Sequence, residues 1–265
     1  MPIDKVQVAR QFSRAAVNYS DAAVVQNQMA DDLFDSLPLS SDTPARIADL
    51  GCGTGYLTEK LLSRYLSSEV IGLDIASGML HEARYFFEQS VNHSRANPRL
   101  LQADIESLPL ADNICDLVVS NAALQWTNFE NALQEVARIL VPGGTALIGT
   151  FAEGTLQEWH QALDKLGLER SHKMPSQKQL ESCIEKSNLT LLQTNSISHL
   201  LRHDCAQSLL KSTKTTGATN ALVDRSKGLM GKQSYSKLIT AIEEEFENQE
   251  YYSRYCAVYF VLRKL

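Results

Sequence analysis

Three glycines separated by single residues, Gly51, Gly53 and Gly55, directly follow a short apolar run that ends at Leu50. Glycine permits positive φ and lets a ligand approach the backbone, because no Cβ stands in the way. A turn of this kind between a strand and a helix is a common ligand site in an open α/β sheet. The alternative interpretation is a tight strand-to-helix turn that binds nothing.

Two acidic residues end the next two apolar segments. Asp74 closes the segment "VIGLD", about 20 residues after the glycines, and Asp104 closes "LLQAD". A carboxylate at the tip of the second strand can accept hydrogen bonds from both hydroxyls of a ribose. A glycine turn and two acids at three consecutive strand tips are difficult to explain by packing alone, so the sequence predicts a ligand site there.

The elements that position these residues are strands alternating with helices, a pattern typical of a parallel sheet with helices on both faces. We predict an α/β, Rossmann-like fold with a mostly parallel seven-stranded sheet. Residues 4–37 are predicted to be helical, with a break at Asn18–Asp21, and "PGG" is predicted to end a helix before the strand "TALIGTF". The whole chain is interpreted as one domain with an N-terminal helical cap (1–40), a cofactor-binding core (45–151) and an inserted helical lid (204–233).

Composition and charge exclude several classes. The net charge of −6 argues against a nucleic-acid binder. The five cysteines are scattered without a CxxC pair, which argues against a disulfide framework or a zinc site and favours a reducing cytoplasm. The chain has no apolar run near the ~20 residues of a membrane span, and its start lacks the apolar core of a signal peptide. We therefore expect a cytoplasmic protein without metal, membrane or nucleic-acid partners.

The motif "DLGCGTG" departs from the GxGxxG of dehydrogenases, and it resembles the first motif of class I S-adenosylmethionine-dependent methyltransferases. The segments "GLD", "QAD", "DLVVSNAALQW" and "ILVPGGTALIGTF" follow that family in order. The resemblance covers about residues 45–151 and implies S-adenosylmethionine as cofactor. It implies that Gly51, Cys52, Gly53 and Gly55 line the amino-acid end of the cofactor, and that Asp49 meets its ammonium directly or through water. It also implies that Asp74 takes the ribose hydroxyls and that Asn121 faces the sulfonium. At the adenine, it implies packing by Ile75 and Met79, a contact of Asp104 with the amine, and the backbone of Ile105 beside the ring.

The acceptor is less clearly indicated. Amine, phenol and carbon acceptors often need a general base, whereas a carboxylate with a pKa near 4 is already ionised at pH 7. After the fourth predicted strand there is no His–Asp pair, and the segment "SNAALQW" offers Asn121, Gln125 and Trp126 as neutral candidates. This favours a carboxylate, although a base could come from elsewhere in the chain.

The flanking segments "VARQFSRAAVNYSDAAVVQ", "SNAALQWTNFENALQEVARILVPGG" and "LLKSTKTTGATN" resemble the malonyl-acyl carrier protein O-methyltransferases of biotin synthesis. The resemblance implies esterification of the free carboxyl of a malonyl thioester. We further expect Tyr19 to lie near the sulfonium and Arg14 near the substrate carboxylate, because the planar guanidinium suits a carboxylate. A surface ion pair for Arg14 and a core position for Tyr19 are the alternatives.

The lid is predicted to dock the acidic carrier protein. Between residues 202 and 232 there are six basic residues and two acidic ones, a local net charge of +4 in a chain of −6. The basic residues are Arg202, Lys211, Lys214, Arg225, Lys227 and Lys232, and Leu209, Leu210 and Leu222 are expected to close over the thioester arm. Three alternatives remain open: methylation of a free small acid of the trans-aconitate type, methylation of carbon or a quinone, and cofactor binding without catalysis.

Overall fold

The computed structural model describes residues 3–37, 43–89, 97–167, 174–215, 232–246 and 250–265. Its strands are β1 (Arg46–Leu50), β2 (Glu69–Asp74), β3 (Arg99–Gln102), β4 (Cys115–Asn121), β5 (Leu140–Phe151), β6 (Leu189–His203) and β7 (Tyr251–Lys264). Its helices are α1 (Lys5–Ala22), α2 (Val24–Asp35), α3 (Tyr56–Arg64), α4 (Ser77–Gln89), α5 (Phe129–Ile139), α6 (Gln157–Lys165), α7 (Gln177–Glu185), α8 (Ala206–Thr215) and α9 (Lys232–Glu243).

These strands form one sheet in the order β3-β2-β1-β4-β5-β7-β6. Strands β1 to β5 are parallel, and β7 runs antiparallel between β5 and β6. The predicted mostly parallel, Rossmann-like sheet is confirmed. The strand order reverses between β1 and β4, and ligands bind outside the carboxyl ends of the strands at such a switch point.

The core lies on both faces of the sheet because successive side chains of a strand point to opposite faces. On β4, Val118 belongs to the cluster that includes Leu133 of α5, whereas Val119 belongs to the cluster that includes Met29 of α2 and Leu61 of α3. All five side chains are buried. The two apolar layers hold the sheet and its strand tips in place.

Two element boundaries differ from the sequence prediction. Asn18–Asp21 continues α1, and the break lies at Ala23, whose φ of −84° and ψ of 37° leave the helix while its N–H still bonds to Tyr19. The helix α5 ends at Ile139, before "PGG", and β5 already starts at Leu140. Proline disfavours the helical region for the residue before it, so the chain turns extended ahead of the glycines.

Helices α6, α8 and α9 share a separate apolar cluster with residues near the start of β7. Leu209 and Leu210 are 1% and 3% exposed within this cluster. The expectation that they close over a substrate arm is therefore wrong, because both are committed to packing between helices. Leu222 lies outside the described residues, and the division into cap, core and lid stays a prediction.

No helix among the described residues is long and apolar enough to span a membrane. The same residues contain no group of three or more His, Cys, Asp or Glu side chains that could hold a metal ion.

Candidate cofactor and acceptor site

A cavity lies between α1 and the carboxyl ends of the strands, and its empty volume, which includes space open to solvent, is about 630 Å³. Most of the residues predicted from the sequence to bind cofactor or substrate meet here. Those that line it are Tyr19, Gly51, Gly53, Asp74, Ile75, Met79, Asp104, Ile105, Asn121 and Trp126.

The glycine turn is fixed to β2 and leaves an open cradle. The backbone N–H groups of Gly51 and Cys52 both donate to the carbonyl of Leu73, at 2.7 and 3.0 Å. Gly53 has a φ of +55°, and a Cβ placed on it would have only Tyr19 Cε1 within 4 Å, at 3.9 Å. The backbone at Gly53 is therefore bare on the side that faces the cavity.

Asp74 joins the second strand to this turn. Its Oδ2 accepts from the N–H of Gly53 at 2.9 Å, and its Oδ1 accepts from the N–H of Ala76 at 2.8 Å. Burial raises the pKa of Asp74 to about 6, although the backbone hydrogen bonds oppose that shift. Each carboxylate oxygen has a second lone pair, so Asp74 can hold the turn and still accept a hydroxyl from a ligand.

Three residues predicted to bind the cofactor do not line the cavity. Asp49 is 1% exposed and accepts from Thr58 Oγ1 at 2.6 Å. Burial, and secondly the charge of Asp74, raises the pKa of Asp49 to about 7. Cys52 is buried beside Gly72, and a Cβ placed on Gly72 would lie 3.1 Å from the Sγ of Cys52. These contacts place Asp49 and Cys52 behind the turn.

Gly55 is the third of them, and it serves the packing of helices. It occupies the N-cap of α3 with a φ of +95°. A Cβ there would lie 2.8 Å from Cε2 of Phe87 on α4. The requirement for glycine at this position comes from the approach of α4 and from the backbone conformation, not from the cavity.

The segment after β4 is divided between cavity and interior. Asn121 lines the cavity, donates from Nδ2 to the carbonyl of Gln26 at 2.8 Å, and has a buried Oδ1 without a hydrogen-bond partner among the described residues. Gln125 does not line the cavity: its Nε2 donates to Ala122 at 2.6 Å and its Oε1 accepts from Thr150 at 3.2 Å. The catalytic role predicted for Gln125 is not supported, because its amide faces the interior.

Helix α1 contributes Tyr19 to the wall but not Arg14. Burial, and then the negative charge of Asp74, raises the pKa of Tyr19 well above its ordinary value, so the phenol remains a hydrogen-bond donor. Arg14 is exposed and is not among the residues that line the cavity. The structure therefore does not bring Arg14 to the cavity, and the predicted contact with a substrate carboxylate is not made in this arrangement.

Several lining residues were missed by the sequence interpretation. The helical spacing of Lys5, Val8 and Phe12 places them on one face with Tyr19, which could have revealed them. Lys5 Nζ donates to Asp104 Oδ2 at 2.6 Å and lies 2.8 Å from Glu106 Oε1. The remaining missed residues of the wall are Ala122, Ala123 and Thr127.

The groups present fit S-adenosylmethionine. The bare backbone at Gly53 leaves room for its amino-acid part, and Asp74 retains lone pairs for ribose hydroxyls. Ile75 and Met79 give the cavity an apolar side suited to an adenine ring. The unpartnered Oδ1 of Asn121 is a buried acceptor of the kind that a ligand commonly satisfies.

Residues 48–148 match the family described as a methyltransferase domain. A malonyl-[acyl-carrier protein] O-methyltransferase from Nitrosospira multiformis is 34% identical, over 89% of this chain and 81% of that protein. The biotin biosynthesis bifunctional protein BioHC from Cellvibrio japonicus is 32% identical, over 99% of this chain and 51% of that protein. The crystal structure of the YcgJ protein from Bacillus subtilis has a TM-score of 0.62 at 18% identity and covers 89% of this chain and 98% of that one, a likeness of fold alone.

Proposed function

The chain belongs to the malonyl-[acyl-carrier protein] O-methyltransferase family, and from this membership we propose that it esterifies the free carboxylate of a malonyl thioester at the cavity beside Gly53. The methyl group comes from S-adenosylmethionine. The observation that carries the proposal is the composition of the cavity wall, which combines the cofactor residues with neutral groups at the acceptor end.

The residues at the cofactor end bind and orient S-adenosylmethionine. Gly53 and Asp74 hold the amino-acid and ribose parts, and Asp104 receives the adenine amine. When bound, S-adenosylmethionine supplies a methyl carbon that its sulfonium has already activated for displacement. Asp49 lies behind the turn and does not form the wall, and because burial raises its pKa to about 7, it is only partly ionised at neutral pH.

The acceptor end is suited to an anion that needs no deprotonation. Among the described residues, those that line the cavity include no histidine. A carboxylate is ionised at pH 7 without a base, and Tyr19, which stays protonated, can donate a hydrogen bond to it. Phe12 and Trp126, with ring centroids 5.7 Å apart, give the wall an aromatic side that excludes water from the reacting atoms.

The product has a physical rationale in biotin synthesis, the pathway named for the related BioHC protein. A malonyl carboxylate is costly to bring into the apolar channels of fatty-acid synthesis, because an unpaired charge must lose its hydration. The methyl ester is neutral, so the methylated malonyl group can be elongated like an ordinary acyl chain.

Docking of the carrier protein by the basic lid remains part of the proposal. Arg202 at the end of β6 and Lys211 on α8 are both exposed. The side chains of Lys214, Arg225, Lys227 and Lys232 lie outside the described residues. Acyl carrier proteins are strongly acidic, and complementary charge raises association rates and fixes register.

Transfer of a labelled methyl group from S-adenosylmethionine to malonyl-carrier protein tests the proposed reaction. We expect label on the carrier that mild alkali releases as methanol, since a methyl ester hydrolyses and an N- or C-methyl group does not. Label that resists alkali would contradict carboxyl methylation. Label on free trans-aconitate but not on the carrier would contradict the thioester substrate.

A further inference from the structure

Helix α1 forms the outer wall of the cofactor cavity. Val8, Phe12 and Tyr19 on its inner face line the cavity. On its outer face, Val6 and Val17 are 62% and 75% exposed. One helix thickness therefore separates this side of the cavity from solvent.

The apolar attachment of α1 to the body is small. Ala16 packs with Ala76 and Met79 in a cluster separate from the two large clusters of the sheet, with Phe12 and Tyr19 against it. Elements with few buried apolar contacts open locally at low free energy. Polar contacts must therefore supply much of what keeps α1 in place.

The charged attachment is at the N-terminal end of α1. Lys5 Nζ lies 2.6 Å from Asp104 and 2.8 Å from Glu106, and the three side chains are 32%, 31% and 12% exposed. Glu106 also accepts from the N–H of Asn128 at 2.8 Å and from Asn131 Nδ2 at 3.1 Å. Lys5 thus ties α1 both to the tip of β3 and to the first turn of α5.

Two other polar contacts of α1 are neutral and longer. Ser13 Oγ accepts from the N–H of Gly78 at 3.2 Å. The hydroxyls of Ser20 and Thr54 lie 3.2 Å apart at the exposed C-terminal end. Hydrogen bonds between charged groups are shorter and stronger than neutral ones, so the end of α1 at Lys5 holds most firmly.

We propose that Lys5 is a positioning residue that fastens α1 over S-adenosylmethionine by clasping Asp104 and Glu106, and that release of this clasp controls how fast the cofactor leaves. The same ion pair fixes the Asp104 carboxylate at the adenine end of the cavity. The proposal rests on the cofactor part of the proposed function and is independent of the acceptor. Glu106 does not line the cavity, so it acts on the ligand only through Lys5 and the elements it joins.

The test is the dissociation rate of S-adenosylhomocysteine from the full chain, measured by stopped-flow displacement. Lys5→Met removes the charge and keeps most of the aliphatic stem, and we expect dissociation about fivefold faster, a value discounted for partial exposure. Arg10→Met is the matched control, because Arg10 is exposed on the same helix and makes no ion pair among the described residues. Its rate should stay within about twofold of the wild type.

Glu106→Gln supplies a second arm that leaves the cavity wall intact. It should also accelerate dissociation, and the double variant should dissociate no faster than the faster single variant, because both changes break one clasp. In the ligand-free protein, Lys5→Met should speed hydrogen exchange of α1 amides and leave those of α2 unchanged.

Three results would overturn the proposal: a Lys5→Met rate equal to that of Arg10→Met, additive effects of the two substitutions, or unchanged exchange in α1. A wild-type chain that binds no S-adenosylhomocysteine by calorimetry would instead contradict the proposed function. The two failures are therefore distinguishable.

Discussion

Single alanine substitutions at Gly53 and Gly55 distinguish a glycine that the ligand requires, Gly53, from one that the fold requires, Gly55. Both have positive φ, at +55° and +95°, so alanine at either position pays about 1–2 kcal/mol for the left-handed conformation. At Gly53 the added methyl points into open space with Tyr19 at 3.9 Å. We expect Gly53→Ala to fold, with a melting temperature lower by about 3–6 °C.

For cofactor affinity we expect the reverse order: Gly53→Ala should lose more affinity than Gly55→Ala, although it loses less stability. A methyl group at Gly53 occupies space where the ligand must lie, and overpacking of this kind costs about 1–3 kcal/mol, so we expect an affinity about 5- to 150-fold weaker. At Gly55 the methyl would lie 2.8 Å from Phe87 and outside the cavity wall. Gly55→Ala should lose about 2–5 kcal/mol of stability yet bind within about threefold of the wild type.

Calorimetric titration with S-adenosylhomocysteine and thermal unfolding of the ligand-free variants measure the two effects. Unchanged affinity for Gly53→Ala would refute the placement of the cofactor against this turn. So would a larger loss of affinity in Gly55→Ala than in Gly53→Ala.

Three further predictions concern stability and docking. Because the pKa of Asp49 is raised in the folded chain, that chain keeps a proton between about pH 4 and 7 that the unfolded chain has lost, so the free energy of unfolding should fall as pH rises through this window. Denaturant unfolding at several pH values should show a flatter pH dependence of that free energy for Asp49→Asn than for the wild type. Gln125→Leu leaves the hydroxyl of Thr150 without its acceptor and should lower the free energy of unfolding by about 1–3 kcal/mol. The Kd for S-adenosylhomocysteine should stay unchanged. A higher Kd with unchanged stability would restore a direct role for Gln125. Reversing Arg202 and Lys211 to Glu should lower kcat/KM for malonyl-carrier protein more than for malonyl-coenzyme A, and added salt should shrink that difference; equal kcat/KM losses on both substrates at low salt would place the carrier elsewhere.

The sheet and its ligand edge could be predicted from the sequence because their signals are local. β1 ends at Leu50, where the apolar run before the glycines ends, and β2 ends at Asp74, the last residue of "VIGLD". Asp74 ends β2 and Asp104 lies two residues beyond the end of β3, and parallel topology alone brings such strand ends to one edge. The class of ligand came instead from the resemblance of "DLGCGTG" and the segments after it to class I methyltransferases.

What could not be predicted depends on contacts between distant segments. Gly55 and Cys52 belong to the same motif as Gly53, yet Phe87 and Gly72 determine their roles. The amide oxygen of Gln125, in the turn after β4, accepts a hydrogen bond from Thr150 on β5. A sequence motif shows which residues cluster, but it does not show which of them face the ligand.

Which side of α1 faces the cavity could not be predicted for a similar reason. Both sides of α1 carry basic and apolar residues, Lys5 and Val8 at the cavity and Arg14 and Val17 in solvent, so the sequence does not distinguish the side that lines the cavity. The buried face follows from where α1 docks on α4, through contacts such as that between Ser13 and Gly78. Such docking is tertiary information that a helical repeat does not contain.

The most direct test of the account is mass spectrometry of malonyl-carrier protein after incubation with the chain and S-adenosylmethionine, beside acetyl-carrier protein and the Gly53→Ala variant. We predict a gain of one methyl group on the malonyl form, no gain on the acetyl form and a much slower gain with the variant. Methylation of the acetyl form, or no gain on the malonyl form by a chain that binds the cofactor, would contradict it.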